Sequence, residues 1–123
     1  MRTPTIPGLS PSVLAAIARI ERRRWWPGDA GVAFARWRAL AYRPGPWVLY
    51  TVTDGGACPC CDPLGGTDGR LLLEQLCLGL PPGPARALRA ALAPVDARFL
   101  ARTLPDPFAS PHDPWWQRRI ETA

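Results

Sequence analysis

The stretch RLLLEQLCLGLPPGPARALRAALAPVDARFL, residues 70 to 100, decides the fold class. Apolar residues recur in it at steps of three and four, the period of a helix with one face turned to a core. Leu72, Leu73, Leu76, Cys77 and Leu80 form a wide apolar stripe on a helix that Asp68 can cap and that runs through about Leu78. Pro84 opens the next helix, because a proline in the first turn gives up no helical hydrogen bond. Leu88, Leu92, Val95 and Phe99 continue a single seam across Pro94, which predicts two helices or one kinked helix reaching Leu104.

Upstream, Ser10-Pro11-Ser12 is a helix start: Ser10 can accept from orphan amides and Pro11 has its φ preset. The helix runs to about Trp26 with Val13, Leu14, Ile17 and Ile20 on one face and Arg19, Arg22 and Arg23 off it, until Pro27-Gly28 stops it. Asp29 can cap a second helix that buries Phe34, Trp37, Leu40 and Ala41, with Arg36 and Arg43 on the opposite side. WVLYTVT, residues 47 to 53, is the one strand-like run, bracketed by Pro46 and Asp54-Gly55-Gly56. Its backbone groups need a partner, either a return strand near Arg70 to Leu73 or the same strand of a second subunit.

Nothing after residue 80 reads as a strand. From Pro105 the helical pattern fails, and PDPFASPHDP, residues 105 to 114, reads as an extended tail after which Trp115-Trp116 dock back on the core. The expected architecture is mainly α: a small helical single domain of four to five helices, with one short β-strand or hairpin next to a Cys-rich loop at 54–68. Residues 1–104 form the helical domain, and 105–123 a Pro-rich tail packing on it.

A chain of 123 residues can bury roughly two-thirds of its unfolded surface, so it folds without needing metal or disulfide. Sixteen Pro and eleven Gly, about 22% of the chain, stay below the roughly 25–30% that marks disorder. All fifteen basic residues are Arg, so the +5 charge can reflect GC-rich coding as well as a basic surface. The first thirty residues place their Arg cluster after the apolar run, the wrong order for a secretory signal. The longest later apolar stretch carries Arg70 and Glu74 and is too short for a membrane span. These features predict a cytoplasmic protein of bacterial type with no membrane partner, in which thiols stay free, bind metal or turn over.

Three of the four cysteines, Cys58, Cys60 and Cys61, fall in GACPCCDPLGG, residues 56 to 66; the fourth is Cys77. Cys58-Pro59-Cys60-Cys61 resembles the knuckle of zinc ribbons and rubredoxin-like sites, where a turn after a strand aims two thiolates at one ion. That resemblance implies a zinc site completed by Cys60, Cys77, His112 or the same loop of a second subunit. Asp62 stands where knuckles usually have Gly, and a second C-x-x-C is missing. The spacing also resembles the glutaredoxin active site, as does VLYT ahead of it, which implies a redox pair with Cys58 as nucleophile and Cys61 as resolving thiol. Pro63, Gly65 and Gly66 break the helix that such a site needs at its first Cys. The same thiols also read as small packed side chains without a ligand. Cys77 on its Leu stripe reads first as a core thiol, and His112 as an exposed imidazole.

ERRRWW, residues 21 to 26, and WWQRRIE, residues 115 to 121, each set a Trp pair beside arginines. Arg22, Arg23, Arg24, Trp25 and Trp26 could bind nucleic acid by stacking and phosphate pairing, or could be the wet side and edge of an amphipathic helix. One histidine, scattered acids and no phosphate loop leave no nucleophile and base together. The expected function is a binding or interaction module with a structural zinc in the CPCC loop and a protein partner or homodimer, rather than an enzyme. The alternatives are a thiol-disulfide protein and a nucleic-acid-binding protein.

Overall fold

The computed structural model describes residues 5–42 and 68–121. Among the described residues there are four helices: α1 (Pro11–Arg24), α2 (Asp29–Tyr42), α3 (Asp68–Gly79) and α4 (Pro82–Ala101). Two three-residue strands follow, β1 (Thr103–Pro105) and β2 (Arg119–Glu121), with a 3-10 turn at Trp115–Gln117 between them. The result is the mainly helical single domain that the periodicity predicts.

Helix α1 begins as its sequence dictates, with the Val13 amide donating to Ser10 Oγ over 3.3 Å and Pro11 at the first position. It ends at Arg24, one turn's fraction earlier than Trp26, because Trp25 turns extended. The connection to α2 is a tight turn in which the Asp29 amide donates to the Trp26 carbonyl and Gly28 takes φ 91°, a value open to glycine after Pro27. Asp29 does not cap its own helix by the expected bond: its Oδ2 accepts from the Trp26 amide at 2.9 Å. The orphan amide of Ala30 is met instead by Glu21 of α1, whose Oε2 accepts at 2.8 Å although Glu21 is buried. A buried carboxylate at a helix N-terminus satisfies a donor and meets the positive end of the helix dipole.

The stripe on α3 is buried as read: Leu72, Leu73, Leu76, Cys77 and Leu80 all face the core. Residues 70 to 73, considered for a return strand, are helical, since they continue that stripe without a break. Leu88, Leu92, Val95 and Phe99 are buried as well. A single helix carries that seam through Pro94, starting at Pro82 rather than Pro84. Ala90 and Pro94 are both exposed, so the carbonyl that loses its donor can be met by water while the seam holds the helix together. On α2, Phe34, Trp37 and Ala41 are buried and Leu40 is half-buried.

The expectation of no strand beyond residue 80 is corrected by β1 and β2. They pair antiparallel with Thr103 opposite Glu121, Leu104 opposite Ile120 and Pro105 opposite Arg119. The pair is fastened by side chains rather than by alternation. Arg119 donates through Nε to Thr103 Oγ1 at 2.9 Å and through Nη2 to the Thr103 carbonyl at 2.7 Å and the Leu100 carbonyl at 3.2 Å. It thereby also satisfies the C-terminal end of α4. The strand-like run at 47–53, Arg43 and the loop at 54–67 lie outside the described residues.

Candidate functional site

Two constellations of chemistry-bearing side chains are formed by the described residues. The first is buried between α2, α3 and α4. Arg70, on the first turn of α3, is 3% exposed and grips Asp96 of α4 with two parallel bonds, Nε to Oδ1 and Nη2 to Oδ2, each 3.0 Å. Asp96 Oδ1 also accepts from Trp37 Nε1 at 2.9 Å. The third arm of Arg70, Nη1, donates to Glu74 Oε1 at 3.1 Å, and Arg89 reaches the same carboxylate from solvent, 3.1 Å to Oε2. This fork geometry is what makes a buried guanidinium tolerable: its donors find acceptors and its charge finds two carboxylates.

The aromatic residues close over this knot. The Arg70 guanidinium lies 4.8 Å from the ring centre of Trp116 and 5.6 Å from that of Trp115. Trp115 meets Trp37 and Phe99 edge-on at 6.5 and 6.2 Å, and Trp37 and Phe99 lie 4.6 Å apart. The tail indoles are thus seated on Arg70 and on the core aromatics of α2 and α4.

Burial pushes the Glu74 carboxyl up, but hydrogen bonds from Arg89 and Arg70 and their charges outweigh it and hold it below the ordinary value of 4.5. Burial pushes the Cys77 thiol up, which favours the protonated form over a thiolate ligand or nucleophile. With both carboxylates of the knot engaged by Arg70, Arg89 and Trp37, the cluster is built to hold helices together.

The second constellation is the corner between α1 and α2. Arg22, Arg23, Arg24, Trp25, Trp26, Pro27 and Asp29 line a shallow, open groove of about 650 Å³. The three arginines are exposed, Trp25 is half-buried against the core, and Trp26 is 79% exposed. Arg24 stacks on Trp25 at 4.9 Å.

The predicted metal ligands divide. Cys58, Cys60 and Cys61 lie outside the described residues. Cys77 is buried in the core, and His112 is exposed on a turn where its amide donates to Ser110 Oγ. Among the described residues, no three His, Cys, Asp or Glu side chains come together as a metal site requires. Also among them, no helix is long and apolar enough to cross a membrane. The Arg70–Asp96 pair and the Glu21 cap escape a reading of the sequence. The available signal was a charge on a buried stripe: Arg70 precedes Leu73 and Cys77 by three and seven positions, and Asp96 lies beside the Leu88 to Phe99 seam.

Comparison of the chain with protein-family models, curated proteins and solved structures finds no match.

Proposed function

We propose that the chain is a small binding module: a helical scaffold that carries a structural zinc ion in the Cys58-Pro59-Cys60-Cys61 loop and docks a protein partner or a second copy of itself. The observation that carries the reading is the placement of three thiols within four positions, in the segment that joins α2 to α3. Thiolates at this density suit a soft, tetrahedral ion better than they suit a packed turn. The buried, protonation-prone Cys77 is the poorest of the remaining candidates, so the loop's own thiolates come first and His112 or a second loop completes the set. A closed thiolate site has no open position for substrate, which makes the role structural.

The test is metal analysis of untagged protein purified without chelator. One zinc per chain places the fourth ligand within the chain, and one per two chains places the ion on a two-fold axis. Cys58→Ser abolishes metal in either case, and chelation lowers the melting temperature, because thiolate binding can contribute on the order of 10 kcal/mol to holding such a site. Metal-free protein with an unchanged melting temperature in chelator would contradict the proposal. If that protein also reduced insulin, with a thiol pKa below about 7.5, the loop would belong to thiol-disulfide chemistry.

A further inference from the structure

We infer that the corner between α1 and α2 binds single-stranded nucleic acid, with Arg22, Arg23 and Arg24 taking backbone phosphates and the exposed indole of Trp26 stacking on a base. The inference does not rest on the zinc loop, since every residue of the corner belongs to α1, α2 or the turn between them.

Three consecutive arginines close α1, and all three line the groove. Arginine at a helix C-terminus has a local reason to be there, because it meets the negative end of the helix dipole. That reason accounts for charge and does not account for the indole beside it. Trp26 leaves 79% of a large apolar ring in water, while its neighbour Trp25 is half-buried against the core. The backbone that carries the ring is held in place. The Trp26 amide donates to Asp29 Oδ2 at 2.9 Å, its carbonyl accepts from the Asp29 amide, and Pro27-Gly28 close the turn. A firmly held backbone that projects a bare indole beside guanidinium groups is a stacking platform with phosphate clamps, the combination that binds single strands with little sequence preference.

Charge and shape select this occupant over others. Among the described residues Asp29 is the one carboxylate lining the groove, against three arginines, so the corner is net positive and complements a polyanion. An acidic peptide would satisfy the arginines and leave the indole uncovered. A lipid surface would need a continuous apolar face, and the apolar face of α1, with Val13, Ala16 and Ile17, is buried in the core. Duplex DNA stacks its bases internally and offers no free ring face to Trp26.

The experiment is fluorescence anisotropy of a labelled fifteen-residue oligothymidylate titrated with the full chain between about 20 and 200 mM salt. Three phosphate contacts predict a log–log salt slope of about −2, since each single-strand contact contributes roughly 0.7. Trp26→Ala should weaken binding by about fivefold or more at every salt concentration, with Trp26→Phe retaining most of the affinity. The double substitution Arg22→Gln/Arg23→Gln should flatten the slope by about 1.4. All these side chains are exposed, so far-UV spectra of the variants should match the parent. Absence of binding at 20 mM salt would overturn the inference. So would affinity indifferent to Trp26→Ala, or equal affinity for the matching duplex, for polyglutamate or for phosphatidylglycerol vesicles.

Discussion

Glu74 is held between two arginines of different standing. Arg89 is 49% exposed on its side chain, so its ion pair is worth at most about 1 kcal/mol. The side chain of Arg70 is buried and cannot exchange Glu74 for water, so this contact matters more. The folded-state carboxyl is held below its ordinary value of 4.5, and a depressed carboxylate gives stability that is present above the unfolded value and lost as pH falls through the folded one. The melting temperature should therefore fall on acidification below about pH 4.5, beyond what general acid denaturation gives. In thermal melts from pH 7 down to 3, Glu74→Gln should lie below the parent at neutral pH, and the gap should close in acid. A gap independent of pH would show that the charge of Glu74 plays no part. Arg70 and Glu74, four residues apart on a predicted helix, form a pair that is legible along the chain, but the partners from α4 are not. Arg70 and Asp96 are 26 residues apart, and only the packing of α3 against α4 brings them together. An arginine at the head of an apolar run reads from sequence as a reason against a membrane span, which is correct and incomplete.

At the scale of elements, the crossing of α2 and α3 depends on a missing side chain. A Cβ added at Gly69 would stand 2.8 Å from the carbonyl oxygen of Ala33, a backbone atom that cannot swing aside. Alanine is ordinarily better than glycine inside a helix by up to about 1 kcal/mol, but here the clash should reverse the sign, so Gly69→Ala should destabilise by about 1–3 kcal/mol in urea unfolding. Gly83→Ala, where nothing stands within 4 Å, should be neutral or slightly stabilising in the same measurement. Equal effects at the two sites would mean that α2 and α3 do not pack through Gly69. The helices themselves were legible because their apolar residues keep a 3.6 period over three or more turns, long enough to survive even Pro94. The strands were not, since three residues cannot show alternation. Pro105 argued against one of them, and what holds them is Arg119 on Thr103 and on the end of α4.

The molecule as a whole is a scaffold whose last segment is part of its core. Trp116 is 3% exposed and roofs the guanidinium of Arg70, although fourteen residues separate it from the end of α4. That docking was legible from a pair of large apolar rings after a Pro-rich run. Its seat was not, because the seat is a buried charge. Both functional proposals need the scaffold to be one cooperative body, since the loop proposed to hold zinc follows α2 and precedes α3 in sequence and the Arg–Trp corner joins α1 to α2. The measurement that tests this most directly is urea unfolding of Trp116→Ala followed by the far-UV helix signal. Among the described residues the indole N–H of Trp116 has no hydrogen-bond partner, so truncation strands no polar group and removes the packing of the ring together with its contact on Arg70. The account predicts that the helices lose about 3–5 kcal/mol, seen as a lower midpoint with an unchanged slope. A helix unfolding curve superimposable on that of the parent would contradict it, because the C-terminal segment would then lie on the helical body without being part of what holds it together.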